Sequence, residues 1–417
     1  MIKIFKTHLI LFVIVVFFPS CTAFKAMKLI NSGFAVLNNN YSESVVPFTL
    51  KGHPMLIKAK LNNSQKEYVF WFDTGALNMI SKEVATELGL PEGVEVEARG
   101  AGGKSKKIEL IKLDRVIVGK MEVRNCATGV TDFTGLLPPN IAGILGSNFL
   151  RHFKVKIDYH ENLITLSQNT KPNTITDEEL RIPFKTDMRN GFAPVIDCVI
   201  DGEIKAKAKI DTGHPGIASL SFSMMKKTKS FKEGAVLTAN GSMGGGIFGM
   251  EDESLALRVN KIRIGDLKLI NIPSVSHATK TGDVLLGNKF LEKFLVTLNY
   301  PAEEMILKPY GIPFETNIPS YGIALTEKGG KTVISGVWEN STAANMGMQP
   351  GDEIVKIDST EVSTLSLIEL LSMSLNKDIN SIEIEFINDE GKNKTTLHKE
   401  MLFPILELHN AQQFNKR

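Results

Sequence analysis

Two copies of the triplet Asp-Thr-Gly contain the residues of this chain that are best suited to chemistry. Asp73 begins the first copy and Asp211 the second, and each follows a run of residues that predicts a β-strand. Two carboxylates within hydrogen-bonding distance cannot both ionise cheaply, so such a pair shares one proton and supplies one acid and one base. A lone triplet more often marks only a strand that ends in a turn, so the repetition matters.

The triplets belong to a longer repeat. An apolar-apolar-Gly segment follows each one, at 144–146 and 285–287, and a Pro-Phe segment precedes each one, at 46–48 and 182–184. The triplets are offset by 138 residues, the later segments by 141 and the earlier ones by 136. Elements that recur in one order at near-constant spacing indicate a duplicated unit of small-domain size. The sequence therefore predicts two similar halves that pack together and bring their carboxylates to one interface.

The elements that must position the triplets are short strands. Residues 68–72 precede the first triplet, and residues 206–210 precede the second and alternate apolar and charged residues like a half-buried strand. Further strands are predicted at 55–61, 116–118, 163–166, 195–200 and 262–264. A helix is predicted at 81–88, where Ser81 can cap its start and Gly89 can end it.

The N-terminus has the regions of an export signal. Lys3 and Lys6 precede an apolar run from Leu9 to Phe18, which is too short to favour a membrane span. Cys21 resembles the lipidated cysteine of a bacterial lipoprotein cleavage box, and the alternative is ordinary cleavage nearby, for example after Ala23. Either alternative exports the protein: to a lipid anchor on a bacterial cell membrane, or to the periplasm or outside the cell. Residues 21–41 are predicted to be a tether.

Charge and cysteine usage exclude several classes of function. The formal charge is +2, and it falls to zero when Lys3 and Lys6 leave with the signal, so no nucleic-acid partner is indicated. Cys126 and Cys198 could form a disulfide in an oxidising compartment, or remain buried thiols. Neither has a His or Cys at metal-ligand spacing, and we expect neither a metal nor an organic cofactor.

The sequence pattern changes beyond a boundary near residues 311–313. Residues 319–400 resemble a bacterial PDZ domain, because a short helical segment leads to Pro350-Gly351-Asp352 and a strand. The resemblance implies that Tyr321, Gly322 and Ile323 form a peptide-binding loop and that a helix at 364–375 is the other wall of a groove. We expect this unit to bind a peptide C-terminus; the alternative is a small module that only packs against the repeats.

The paired triplets with their following glycine segments resemble a two-lobed aspartic protease of the retropepsin-like group, over residues 42–310. The resemblance implies that Asp73 and Asp211 form the catalytic dyad. Thr74 and Thr212 then hydrogen-bond across the lobe interface, and Gly75 and Gly213 allow backbone amides close to the carboxylates. Glycine clusters stand where this group has hairpin flaps that close over substrate, and ordinary flexible loops are the alternative; the flap candidates are Gly100, Gly102, Gly103, Gly244 and Gly245.

His214 follows the second triplet, where the group more usually has a small residue. This motivates the hypothesis that His214 shifts the pH dependence of the dyad; the alternative is a partly exposed loop histidine.

The sequence thus predicts a mainly β protein with two tandem aspartic-protease-like β lobes and a small α+β PDZ domain. The expected ranges are an export signal at 1–20, a tether at 21–41, lobes at 42–170 and 179–310, and a PDZ domain at 319–400. The expected function is that of an aspartic endopeptidase acting on peptides or proteins. The alternative is a non-catalytic peptide-binding lipoprotein that uses the groove and the PDZ unit for recognition only.

Overall fold

The chain is mainly β, as the sequence predicts. The structure is a computed structural model, and it describes residues 21–37, 40–50, 53–172, 176–278 and 282–403. The predicted export signal lies outside these residues. Within the described ranges, no helix has the length and apolar character needed to cross a membrane.

The first half contains the strand that carries Asp73 at its end. That strand, β5, pairs with β4 on one side and runs parallel to β10 on the other, and β10 is followed in the sheet by β6 and β9. The elements of this half are α1 (Cys21–Ile30), β1 (Phe34–Ala35), β2 (Glu43–Pro47), β3 (Thr49–Leu50), β4 (Met55–Leu61), β5 (Tyr68–Asp73), β6 (Met79–Ser81), α2 (Lys82–Glu87), β7 (Val94–Arg99), β8 (Ser105–Val118), β9 (Met121–Thr131), β10 (Ile141–Gly146), α3 (Ser147–Leu150), β11 (Lys154–Asp158) and β12 (Leu163–Ser167).

The second half repeats this arrangement. Its β15, which ends immediately before Asp211, pairs with β14 and runs parallel to β22, and β16 and β21 follow in the same order and directions. The elements are β13 (Leu180–Pro183), a 3₁₀ turn (Met188–Asn190), β14 (Val195–Ile200), β15 (Ile204–Ile210), β16 (Ala218–Ser221), α4 (Phe222–Met225), α5 (Lys229–Lys232), β17 (Val236–Gly241), β18 (Gly245–Gly246), β19 (Gly249–Met250), β20 (Leu255–Ile264), β21 (Leu267–His277), β22 (Val284–Leu286), α6 (Asn288–Leu291), β23 (Phe294–Asn299) and β24 (Glu304–Pro309).

A shared sheet joins the two halves. Its strand order is β13-β24-β23-β11-β12-β2, so each half supplies its strands symmetrically about the central antiparallel pair β11 and β23. One continuous apolar core runs through both halves, including Phe72 and Phe149 from the first half and Phe290 from the second. Burial of such large side chains is the main force that stabilises the assembly of the two halves.

The C-terminal unit continues the sheet of the second half. β17 pairs with β20 through Thr238 and then with β26, where Ala239, Asn240 and Gly241 lie opposite Trp338, Val337 and Gly336. The unit has its own apolar core. Its elements are β25 (Ile323–Lys328), β26 (Lys331–Trp338), α7 (Thr342–Asn345), β27 (Glu353–Ile357), β28 (Thr360–Glu361), a 3₁₀ turn (Val362–Thr364), α8 (Leu367–Leu375), β29 (Ser381–Asn388) and β30 (Gly391–His398).

The predicted strands at 55–61 and 195–200 have the same bounds in the structure, and the other predicted strands lie inside longer ones. The predicted helix at 81–88 is α2, where the Ser81 hydroxyl accepts from Val84 N–H as an N-cap and Gly89 has a φ of +59°. The helix predicted at 364–375 begins later, at Leu367, because Ser366 and Glu369 form a capping box there.

The first part of the predicted tether at 21–41 forms secondary structure and packs on the first half, and its role as a tether stays a prediction. Cys21–Ile30 is helical, and Phe34 and Ala35 pair with β9. The physical reason is apolar contact, since Ala26 is buried against Leu110 and Ala127 of the first half. Residues 38 and 39 of the predicted tether lie outside the described residues.

Candidate active site

The two triplets meet at the interface between the halves. A Cβ atom added to Gly75 would overlap the Asp211 carboxyl group, and one added to Gly213 would overlap the carboxyl group of Asp73. Each aspartate therefore lies directly over the glycine of the other triplet. Glycine is required at both places because any side chain would displace the opposite carboxylate.

Reciprocal hydrogen bonds hold the triplets together. Thr74 N–H donates to Thr212 Oγ1 and Thr212 N–H donates to Thr74 Oγ1, both at 3.0 Å. The Thr74 hydroxyl also donates to Ile210 O at 2.9 Å, and the Thr212 hydroxyl donates to Phe72 O at 3.1 Å. Both threonines are fully buried. The cross-interface bonds expected of these hydroxyls are therefore present, and they link the backbones on which the carboxylates are placed.

Within each triplet the glycine amide contacts its own aspartate. Gly75 N–H donates to Asp73 Oδ1 at 2.7 Å, and Gly213 N–H donates to Asp211 Oδ1 at 3.0 Å. These bonds fix the orientation of both carboxyl groups and leave the Oδ2 atoms for other partners. The two side chains are matched in burial and in their backbone contacts.

The ionisation of the two carboxyl groups is not matched. Burial and the nearby Asp211 charge raise the pKa of Asp73 to about 7, against the opposing effects of Gly75 N–H and Lys209. Burial also acts to raise the pKa of Asp211, but Lys209, His214 and the Gly213 amide outweigh it and the net pKa is lowered. Of the two carboxyl groups, Asp211 therefore loses its proton first as the pH rises, and Asp73 holds the proton that remains.

The apolar-apolar-Gly segments of the repeat pair with the strands that lead to the triplets. In β10, Leu145 and Gly146 lie opposite Phe72 and Asp73, and in β22, Leu286 lies opposite Ile210. A Cβ at Gly146 would overlap the backbone of Ala76, so this glycine lets the end of β10 approach the turn that follows the first triplet.

The two glycine clusters contact each other. A Cβ at Gly102 would overlap Gly249 O, and one at Gly246 would come close to the backbone of Ala101. Three flap candidates, Gly100, Gly102 and Gly103, lie in the turn between β7 and β8. The other two lie at the start of β18, with Gly244 immediately before the strand and Gly245 as its first residue. Lys104 and Asp252 also form an ion pair across this contact.

The loop from the second half also reaches the first half through apolar side chains. Ile247 and Phe248 pack against a cluster that contains Trp71, Ala76 and Ile144, which flank the first triplet. The glycine loops therefore cover the side of the site next to the first triplet. Their function as flaps that close over substrate stays a prediction.

The segment 321–323 lies in the C-terminal unit, away from the triplets. Gly322 has a φ of +84°, which favours glycine, and its N–H donates to Ser320 Oγ at 3.1 Å. Tyr321 is buried in the unit's core and its hydroxyl donates to Ile379 O, so its side chain supports the loop from within.

Cys21 lies at the start of α1. Cys126 and Cys198 are separate buried thiols without a disulfide.

Sequence reasoning missed two polar pairs that join the halves. The Ser147 hydroxyl bonds to Thr74 O and to the Tyr300 hydroxyl, at 2.7 and 2.8 Å. Asn288 donates to Thr212 O and accepts from the Tyr159 hydroxyl, both at 2.8 Å. Each tyrosine thus supports the triplet of the opposite half. The signal was available, since both pairs recur at the 141-residue offset of the repeat.

Sequence reasoning also missed Lys209, His53 and His277 as site residues, whereas His214 is the histidine that it considered for the dyad. Lys209 is buried, with Nζ 3.3 Å from Asp211 Oδ2. His53 Nε2 bonds to Gly213 O at 2.7 Å, and His277 is buried near the second triplet. His214 is half-buried with its Nε2 shielded from solvent. Among the described residues, no group of three or more His, Cys, Asp or Glu side chains could hold a metal ion.

Comparison with known proteins finds one family model that matches. Residues 57–149, which include the first triplet, match a family described as aspartyl protease. This match supports an aspartic-protease-like fold for the first half. No curated protein matches the chain.

The solved structures that resemble the chain include an aspartic proteinase from Irpex lacteus, with 14% identity, a TM-score of 0.40, and coverage of 64% of this chain and 98% of that one. They also include basic 7S globulin from soybean, with 11% identity, a TM-score of 0.38, and coverage of 64% and 95%. A third is edgp, with 12% identity, a TM-score of 0.39, and coverage of 66% and 96%.

Proposed function

We propose that this protein is an aspartic endopeptidase in which Asp73 and Asp211 form the dyad within one chain. The observation that carries the proposal is the reciprocal contact of each carboxyl group with the glycine of the opposite triplet. Two buried carboxyl groups that share one proton can supply both the base and the acid of a hydrolysis. The family match over residues 57–149, which include Asp73, supports the proposed class of reaction.

The proposed reaction uses one water molecule held by both carboxyl groups. One carboxylate takes a proton from the water while the water oxygen bonds to the peptide carbonyl carbon. The other carboxyl group gives its proton to the carbonyl oxygen. The tetrahedral intermediate then collapses: the first carboxyl group gives the proton it took from water to the leaving amine as the C–N bond breaks, and a hydroxyl of the intermediate returns its proton to the second carboxylate as the new carbonyl forms. No covalent bond forms between enzyme and substrate, so the chain needs no nucleophilic side chain.

The test is hydrolysis of a mixed peptide library by the purified full-length protein, followed by mass spectrometry from pH 3 to pH 8. We expect Asp73→Asn and Asp211→Asn each to lower kcat by at least about 100-fold, because each removes one half of the acid–base pair. Asp197→Asn is the matched control, because the Asp197 side chain is 84% exposed on β14. This variant should hydrolyse peptides at the wild-type rate.

Equal rates for the wild type and both dyad variants would refute the proposal. Binding of peptides without cleavage by the wild type would instead favour the peptide-binding alternative.

We further propose that the C-terminal unit binds a peptide C-terminus. α8 packs beside β25, and Gly322 precedes β25 in a conformation that turns its backbone. A strand added along β25 would gain main-chain hydrogen bonds, while α8 would contact its side chains. Fluorescence anisotropy should detect binding of peptides with a free C-terminal carboxylate and no binding of the same peptides as C-terminal amides; equal binding of both would contradict this role.

We also propose export and lipid attachment at Cys21, on the basis of the sequence of residues 1–21. In a bacterial host supplied with a labelled fatty acid, the wild-type protein should carry the label and pellet with membranes. Cys21→Ala should lose both properties. An unlabelled wild-type protein recovered from the periplasm or the medium would contradict lipid attachment and leave export intact.

A further inference from the structure

Lys209 is a buried cation at the interface between the two halves. It stands two residues before Asp211, and its side chain is only 8% exposed. Nζ lies 3.3 Å from Asp211 Oδ2 and donates to Gly75 O at 3.3 Å. An ammonium group taken out of water must be paired and hydrogen-bonded to be stable, and Asp211 is the carboxylate that pairs with it here.

The first half has a different residue at the equivalent position. Trp71 stands two residues before Asp73, and its indole ring is buried. The ring packs edge-on against His53, with the ring centroids 5.3 Å apart and the planes at 88°. The duplicated site therefore has a lysine beside the second aspartate and an uncharged indole in the matching place beside the first. This difference breaks the symmetry of the dyad.

Other titratable groups face this part of the site. They are Asp73 at the end of β5, His53 before β4, His214 after the second triplet, His277 at the end of β21 and Lys289 in α6. Burial lowers the pKa of His53 and of His214 to about 4, and that of His277 to about 3, so these rings are uncharged at neutral pH. The Lys289 side chain is 44% exposed, so solvent screens its charge.

We infer that Lys209 is a positioning residue that fixes the ionised carboxylate of the pair on Asp211 and leaves the shared proton on Asp73. The assignment of roles rests on the proposed function. In that reaction Asp211 is the base that takes the proton from water, and Asp73 is the acid that protonates the peptide carbonyl oxygen.

Ionisation in the structure agrees with this placement. The pKa of Asp211 is lowered although burial alone would raise it, and Lys209 is the largest of the opposing causes. Lys209 also acts to lower the pKa of Asp73, but burial and the Asp211 charge outweigh it and hold that pKa near 7. Removal of the cation should therefore raise the pKa of both carboxyl groups. The acid limb of the pH profile for peptide hydrolysis should then move to higher pH.

The first experiment measures the Asp211 carboxyl directly and needs no substrate. In an Asp73→Asn background, the protein is labelled with carboxyl-¹³C aspartate and titrated by NMR, and the Asp211 signal is assigned by its loss in Asp211→Asn. An opposite charge at this distance lowers a carboxyl pKa by about 1–3 units. We expect Lys209→Met to raise the Asp211 midpoint by at least about one pH unit. Lys209→Gln is a second neutral variant, used if the Lys209→Met protein does not fold. Lys209→Arg keeps the positive charge and should keep the low Asp211 midpoint.

The second experiment is the pH dependence of peptide hydrolysis. In Lys209→Met the acid limb of the kcat profile should move to higher pH by at least about one unit, so that rates below the limb fall by about 10-fold or more. KM at neutral pH should change little. Lys207→Met is the matched control, because Lys207 lies on the same strand with its side chain 61% exposed and should leave both limbs in place.

The outcomes separate this inference from the proposed function. An Asp211 midpoint that does not move in either neutral variant would overturn the role of Lys209, whatever the enzyme hydrolyses. A midpoint that moves as expected in a protein that cleaves no peptide would support the charge assignment and refute the proposed function.

Discussion

The reciprocal threonine hydrogen bonds predict a large loss of stability from the removal of one hydroxyl. Thr212→Val keeps the shape of the side chain but removes the acceptor for Thr74 N–H and the donor to Phe72 O. Thr74 is fully buried, so its amide cannot turn to water instead. A buried donor left unpaired costs about 1–3 kcal/mol, and a lost neutral hydrogen bond costs about 1 kcal/mol. The free energy of unfolding should therefore fall by about 2–4 kcal/mol.

The assay is urea denaturation of the full-length chain, followed by tryptophan fluorescence. Thr212→Ser is the matched control, because it keeps the hydroxyl and loses only a methyl group. The loss of stability in Thr212→Ser should be smaller than the loss in Thr212→Val, and the difference between the two should be about 1–2 kcal/mol. If the two variants unfold at the same urea concentration, or if Thr212→Val costs less than about 1 kcal/mol, the cross-interface bonds do not hold the halves together in the way inferred here.

Three further predictions concern the dyad. The pKa of Asp73 is raised to about 7, so the shared proton is lost as pH rises through that value. The rate of peptide hydrolysis should therefore fall above about pH 7. A rate that stays unchanged up to about pH 9 would contradict this prediction. The pKa of His214 is lowered to about 4 by burial, so His214→Ala should alter the pH–rate profile only below about pH 5, and a profile unchanged at every pH would dispose of the hypothesis that His214 tunes the dyad. Gly75→Ala would place a methyl group on the Asp211 carboxyl, so kcat should fall by at least about 100-fold while the protein still folds by circular dichroism; near-normal turnover would contradict the close contact of the triplets.

The elements that could be predicted from the sequence are those with strong local patterns. The strands at 55–61 and 195–200 alternate or run apolar between turn residues, and the repeat offsets predicted which segments are equivalent. The repeat also predicted that the aspartates meet, because equivalent strands of packed halves end at the same interface. The α2 helix followed from one capping serine and one terminal glycine.

The features that sequence reasoning missed depend on which surface covers a strand. Residues 206–210 alternate apolar and charged side chains, and this pattern predicts that Lys207 and Lys209 face solvent. Lys207 does, but Lys209 is buried because the first triplet, with Gly75, lies over the end of the strand. Likewise Ala26 in the expected tether is buried by a sheet more than 80 residues further along the chain. Local periodicity contains no information about such distant contacts.

The pairing of β17 with β26 has a consequence for how the chain can be divided. The sequence pattern changes near residue 311, yet backbone hydrogen bonds join β17 to β26, beyond that point: Glu339 N–H donates to Thr238 O and Ser242 N–H donates to Ser335 O. A recombinant fragment that stops before residue 319 would leave this edge uncovered, immediately before the loop that inserts Phe248 against the first half. Uncovered edges recruit strands from other molecules, so such a fragment would tend to aggregate. The boundary seen in the amino-acid pattern is thus not a boundary at which the protein can be cut.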